Sequence, residues 1–407
     1  MPLLLLFVWP FLAFLISVRK LDQKVWQIVF VLFCGLFGYC QDFSLTTSDC
    51  YRIALQFQSF DMEDIFRRYA EGQSPDLYMN LLYSLLRALT SNPKVLFAVV
   101  GLIFGYLYCQ CISIVYIHLK CRNKWFWIIA LSLLCNISLI EIMGGRFYTG
   151  ALLFVLSAYK WCYLKKKTWI VGIALTPFVH FGHIFSVILL LGGGLAFRFC
   201  RFLSPSWLFR MVFFAFLLSF LPISEYFNQI LSHFAGDSSG MIEYKLTVYS
   251  GSEENMGIAD DAQTVYRQAN ILFFAIFQGL YKICLCCLCR YLSKNVRVKT
   301  RLYTFVRLVL VYTIGAYLAS AIGIAGTGFR YVTVAGELLI IAMAIGLSQG
   351  YTFRPRTLYL VPTMCFVQIA FLLFNAPRVV GGEFWLLNLP VLVYDGLGFY
   401  LHGMLTD

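Results

Sequence analysis

Residues 94–118 form an apolar stretch as long as a helix needs to cross a bilayer, about 20 residues. It is one of a series. Comparable segments fall at about 2–18, 25–41, 125–142, 147–163, 168–180, 183–199, 206–223, 268–290, 302–324, 330–350 and 357–375, though some are short. Lipid offers no water to the backbone, so a segment of this kind must satisfy its own amides as a helix. Composition agrees: 60% of the 407 residues are hydrophobic and 13% are charged, where a soluble domain carries roughly 25% charge. The expected fold is all-α, a polytopic integral membrane protein with about 12 transmembrane helices (11–13), forming a single membrane domain over 1–407.

The net charge of +12 resembles a nucleic-acid signal until the charges are placed. With the loop from Arg19 to Lys24 inside and the N-terminus outside, 22 of the 32 basic residues fall on the inner side. Of the 20 acidic residues only Asp22 does. Excess Lys and Arg in short inner loops sets orientation, so the charge is read as topology and no nucleic-acid partner is expected. The first helix follows Met1 without a charged leader or a small-residue cleavage site, and reads as retained.

Two larger external loops follow from this topology. Residues 42–93 contain LYMNLLYSLLRAL from Leu77 to Leu89, too short to span and read as a helix dipping in from the external face. Residues 224–267 are acidic and too polar to insert, either a partly folded lid or a solvated loop. The tail 376–407 is half apolar, an interfacial helix or a thirteenth span. Most of the 14 cysteines sit within spanning segments as small apolar fillers. Cys284, Cys286, Cys287 and Cys289 suit at most two ligands on one helix face, and pairing of Cys40 with Cys50 stays open.

The stretch Gly144 to His183 organises the functional reading. An arginine follows two glycines at the start of one apolar helix, the helix ends at Lys165-Lys166-Lys167, and a second helix returns to a His-Phe-Gly-His corner. With the lysines inside, Arg146 and His180 share the external face. Asp49, Arg52, Arg146, His180, His183 and Arg330 all cluster at external helix ends in this topology. A charge at membrane depth is costly and marks function by default. Arginine's planar fork suits phosphate oxygens, so three arginines around one cavity suggest an anionic ligand such as a lipid-linked phosphate or pyrophosphate. Each also has a plainer reading. Arg146 and Arg330 can be interface anchors, His180 and His183 packing residues, Asp49 a helix cap and Arg52 a solvated loop residue. The aromatics of 42–76, Tyr51 among them, fit an interface belt or a carbohydrate stack.

No phosphate-binding Gly-rich loop with lysine, no HExxH and no external Asp-x-Asp is present, which argues against ATP use and against metal-dependent nucleotide-sugar transfer. No metal or cofactor is expected. A chain of carboxylates within the helices, the mark of an ion pump, is missing too; only Glu337 lies mid-helix.

These features together resemble the EpsG-like, Wzy-type bacterial polysaccharide polymerases. Four pieces carry the match: Asp49-Cys50-Tyr51 with Phe60 downstream; Pro75-Asp76-Leu77-Tyr78 running into the short helix; Gly145-Arg146-Phe147-Tyr148-Thr149-Gly150 followed by Phe178-Val179-His180-Phe181-Gly182; and Gly328-Phe329-Arg330-Tyr331. Gly182 stands where a serine is common and Phe147 where glutamine is. The resemblance covers most of residues 1–350. It implies a multi-pass protein of the bacterial cytoplasmic membrane that joins undecaprenyl-pyrophosphate-linked oligosaccharide repeat units into O-antigen, capsule or exopolysaccharide at the external face. It further implies Arg146 and Arg330 as holders of the pyrophosphate, and His180, or alternatively Asp49, as general base. Arg52, His183, Tyr51 and Tyr148 join the substrate-binding set, and a chain-length regulator and a flippase are the implied protein partners. A glycan ligase, another lipid-linked glycosyltransferase and a transporter of lipid-linked oligosaccharide are the competing readings.

Overall fold

A computed structural model describes residues 2–41, 43, 49–61, 67, 77–120, 125–199, 203–221, 261–296, 298, 300–322, 327–351 and 359–375. All regular structure among them is helical. Five helical stretches are long and apolar enough to cross a membrane: Pro93–Leu119, Phe126–Gly144, Ala275–Asn295, Arg301–Ile322 and Gly328–Ser348. Shorter apolar helices cover Pro10–Arg19, Lys24–Tyr39, Lys167–Val179, His183–Phe197 and Pro205–Leu218. Large apolar side chains lie outward on these helices, among them Ile117, Ile188, Leu195 and Phe214, as expected of surfaces that meet lipid rather than water. The chain is thus an all-helical protein with helices suited to a membrane. The acidic loop from 224 to 260 and the tail from 376 to 407 lie outside the described residues.

The chain divides into two compact units. The first holds Met1–Lys160, Lys167–Ile184 and Leu372–Asp407; the second holds Trp161–Lys166 and Phe185–Phe371.

The first unit starts with α1 (Pro2–Val8) and α2 (Pro10–Arg19). The first expected span is therefore interrupted. Trp9 is extended (φ −151°, ψ 87°) because proline at the next position disfavours a helical residue before it. Next come α3 (Lys24–Tyr39), α4 (Asp49–Gln58), α5 (Leu77–Arg87) and α6 (Pro93–Leu119). Helices α3 and α6 pack through glycines. A Cβ on Gly38 would lie 2.1 Å from the Phe97 carbonyl oxygen, and one on Gly101 would lie 2.3 Å from that of Cys34. Such small residues let two backbones touch where lipid supplies no hydrophobic drive to associate. Cys40 and Cys50 carry thiols rather than a disulfide, and Cys50 Sγ points to Gln41 Oε1 at 3.6 Å.

Helix α7 (Phe126–Asn136) runs into a 3₁₀ segment, Leu139–Gly144. Tyr108 on α6 reaches the seam between them: its hydroxyl lies 3.0 Å from the Leu133 carbonyl and also approaches that of Ile137. These carbonyls belong to a helix end that has lost its own amide donors. Tyr108→Phe is expected to cost about 1–2 kcal/mol, read as a lower melting temperature in detergent with unchanged helicity. Helix α8 (Phe147–Ala158) continues through a π turn, Tyr159–Tyr163. The chain returns as a 3₁₀ turn, Lys167–Trp169, and α9 (Ile170–Val179). Lys160 Nζ sits 3.9 Å from the Trp169 ring centroid at the turn of this hairpin.

The second unit contains α10 (His183–Phe199, from Phe185 on), α11 (Pro205–Leu218), α12 (Asp261–Asn295), α13 (Arg301–Ile322) and α14 (Thr327–Ser348). Helix α15 (Leu360–Asn375) follows α14 in the chain. Helix α12 starts at Asp261, so the end of the expected external loop is helical. Helix α14 is the most enclosed, with Glu337 fully buried in it. Lys282 corrects one placement. Counted with the inner basic residues, it is instead buried within α12, with Nζ 3.2 Å from the Ser219 carbonyl at the C-terminal end of α11. A lysine there satisfies an orphan carbonyl and offsets the negative end of the helix dipole. The four cysteines of α12 are spread around it: Cys284, Cys286 and Cys289 are buried and Cys287 is exposed.

Candidate functional site

The hairpin α8–α9 puts Arg146 and His180 at one end and the lysine-bearing connection at the other. Sequence dictates the corner. Gly145 adopts φ +63°, which glycine enters without strain, and its surroundings are already taken by Met79 and Ile53, 3.4–3.6 Å from a would-be Cβ. Gly144 differs, since none of the described residues stands within 4 Å of where its Cβ would be. The turn delivers Arg146 half-buried at the N-cap of α8. Ser, Thr, Asp or Asn is usual there, because each can accept from the first turn's amides. Arginine has no acceptor. Its charge instead adds to the positive end of the helix dipole, which is unfavourable alone and favourable beside an anion.

Phe147 scaffolds the histidines. Its ring stacks on His183 at 4.8 Å and meets His180 edge-on at 5.3 Å. His183 is fully buried, and its Nε2 lies 2.8 Å from the Phe147 carbonyl oxygen. Sequence reasoning grouped His183 with the substrate-binding residues; the structure makes it a brace, holding the start of α10 to the start of α8. Gly150 leaves the room it occupies, since a Cβ there would lie 2.6 Å from the His183 ring.

His180 is half-buried and one step nearer the surface. The Gly182 amide donates to its Nδ1 at 3.1 Å. An Nδ1 that accepts belongs to the neutral tautomer protonated at Nε2. His180 in this geometry offers a donor, whereas a general base needs a bare Nε2. Thr176, buried on α9, is the residue whose carbonyl receives the His180 amide, fixing the corner.

Helix α4 was not anticipated, although Cys50, Ile53, Ala54 and Phe57 are all buried at helical spacing. It lies against the 3₁₀ segment preceding Arg146: Cys50 Sγ is 3.6 Å from the Met143 carbonyl oxygen. Asp49 and Tyr51 are therefore carried to the same end of the unit. Arg52 is mostly exposed and forms an ion pair with Asp49 three residues earlier, which makes it a partner of Asp49 rather than an independent ligand. Tyr148 is buried, its ring edge-on to Phe147 at 5.2 Å.

Helix α5 closes this end. Phe57 and Phe60 meet Tyr83 at 5.8 and 5.4 Å. At 11 residues α5 is roughly 16 Å long, about half a hydrocarbon core. Met79, Leu82 and Tyr83 face inward while Leu77, Leu81 and Leu85 face out. The Tyr78 hydroxyl is buried beside Thr149, and burial holds this phenol above its ordinary range, so it stays a neutral donor. Asp76 lies outside the described residues.

Arg330 belongs to the second unit, half-buried in the first turn of α14. Its neighbours in sequence anchor that turn: Phe329 meets Tyr281 at 5.4 Å and Tyr331 meets Phe185 at 5.0 Å. Gly328 allows close packing on α13, with a would-be Cβ 2.7 Å from Ser320 Cα. No group of three or more potential metal ligands forms among the described residues. No family model, curated protein or solved structure matches this chain.

Proposed function

We propose that this protein is a polysaccharide polymerase of the Wzy type, with about twelve spans in the bacterial cytoplasmic membrane and its N-terminus outside. One observation carries the reading: a half-buried arginine, Arg146, stands at the N-cap position of α8, one residue before the Phe147 ring that meets His180. That pairing favours an anion held at the membrane surface.

In this reading the hydroxyl of a lipid-linked repeat unit attacks the anomeric carbon of a growing glycan on undecaprenyl pyrophosphate. The bond from that carbon to the pyrophosphate oxygen breaks, and the lipid pyrophosphate leaves with the electron pair. Arg146 neutralises the leaving group, which is electrostatic stabilisation. His180 donates from Nε2 to a phosphate oxygen. The hydroxyl proton goes to Asp49, which Arg52 orients. Tyr51 and Tyr148 belong to the glycan-binding end, and a chain-length regulator and flippase act alongside.

The test is a gel of lipid-linked glycans from cells lacking the protein and complemented with variants. Loss of the protein leaves a single repeat unit on the carrier lipid. Arg146→Ala, at normal protein level, reduces chain extension roughly 100-fold or more, and Arg146→Lys restores part of it. A full ladder retained on the carrier lipid identifies a ligase instead. An unchanged ladder removes the glycan reading and leaves transport.

A further inference from the structure

Arg307 lies on α13, six residues beyond Arg301 and so roughly 9 Å along the helix from its basic end. Its guanidinium carbon sits 3.9 Å from the centroid of the Phe197 ring on α10 and 5.8 Å from that of Tyr303 one turn back. Stacking on an aromatic face leaves only the edges of the plane to make hydrogen bonds. Among the described residues, Nε and Nη2 of Arg307 are shielded from solvent and meet no acceptor.

The identity of those two atoms matters. Nε and Nη2 share one edge of the guanidinium, and their N–H bonds run parallel. That edge is the one that grips two oxygens of a phosphate or carboxylate at once. A buried donor without a partner is costly, and two on one charged group are costlier. The same arginine also lies at the depth where headgroups meet acyl chains if the basic end of α13 is at the interface. Exposed cations surround this end: Lys294 in the last turn of α12 and Arg301 at the start of α13. They give the region a positive potential at no cost to burial.

We propose that the Nε–Nη2 edge of Arg307, stacked on Phe197, is a binding site for the phosphate of an anionic phospholipid. The acyl chains lie along the outward apolar faces of α10, where Ile188 and Leu195 are exposed. The site is independent of the glycan-linked corner at Arg146 and stands whether or not that reading does.

The full-length protein in neutral detergent is titrated with phosphatidylglycerol, with diacylglycerol lacking the phosphate, and with inorganic phosphate, and its melting temperature is recorded. Phosphatidylglycerol stabilises the wild type and diacylglycerol does not. Arg307→Gln needs roughly tenfold more phosphatidylglycerol for the same shift, while Lys24→Gln, which removes an exposed cation of the first unit, is close to wild type. Inorganic phosphate reproducing the shift identifies a soluble anion as the ligand and overturns the lipid assignment. Equal responses of Arg307→Gln and wild type, or of diacylglycerol and phosphatidylglycerol, overturn the site. Native mass spectrometry of the wild type gives a second readout that no variant's folding can obscure. Phosphatidylglycerol retained in preference to diacylglycerol supports the site, and no preference overturns it.

Discussion

Gly101→Ala is expected to lower the stability of the first unit by about 2–3 kcal/mol, despite alanine's better helix propensity. The added methyl would stand 2.3 Å from the Cys34 carbonyl oxygen and 3.2 Å from Gly35 Cα. Both are backbone atoms, so no side-chain rotation relieves the clash; α3 and α6 must move apart. Separation would in turn loosen the aromatic stack that α2 makes with α3, where Phe14 meets Phe33 at 4.5 Å. Gly38→Ala attacks the same contact from the other helix, so the two changes should couple and sum to less than additive. Gly192→Ala serves as the control. None of the described residues lies within 4 Å of its Cβ position, and it should be neutral or stabilise by up to about 1 kcal/mol. Thermal unfolding in detergent, with size-exclusion to follow dispersity, decides the matter. Wild-type melting of Gly101→Ala would show that the two backbones are not in contact.

The second large effect falls on Gly150. An alanine there drives its methyl to 2.6–2.7 Å from the His183 imidazole. The ring must leave Phe147, losing both the 2.8 Å contact to the carbonyl and the 4.8 Å stack. Phe147 also backs His180, so the corner that carries Arg146 and His180 loses its scaffold. Gly150→Ala should destabilise by about 1–3 kcal/mol. If the proposed function holds, it should also shorten the glycan ladder as severely as Arg146→Ala, though Gly150 is buried and meets no substrate. Gly150→Ala with His183→Ala removes the clash and should recover part of the stability lost by Gly150→Ala alone. Such recovery distinguishes steric displacement of His183 from a general helix effect. A double variant that is simply additive would reject the brace.

Much of the helical layout was legible in the sequence, because apolar length and loop charge are local properties. The expected short helix at 77–89 appears as Leu77–Arg87, and the expected break between 163 and 168 appears as the turn before Ile170. Pattern reading failed where context decides. Helix α4 went unread because its polar residues dominate the segment, although Cys50, Ile53, Ala54 and Phe57 mark one buried face. The glycines of α3 and α6 look alike in sequence whether they face lipid or a partner backbone. Lys282 looked like one more basic residue near an inner loop, and burial beside a helix end gives it a different task.

The sequence by itself determined that the chain is helical and suited to a membrane. It placed Arg146 and His180 at the same end of one hairpin too, since two apolar segments joined by a short lysine turn must run antiparallel. Tertiary structure decided what each group at that end can do. It buried His183 as a brace and fixed the His180 proton at Nε2 by giving Nδ1 an amide to accept from. It tied Arg52 to Asp49, and among the described residues it left one edge of Arg307 without an acceptor. The reason is physical. Apolar length and net loop charge are sums over neighbours in sequence, whereas burial and hydrogen-bond partners depend on atoms brought together from distant parts of the chain.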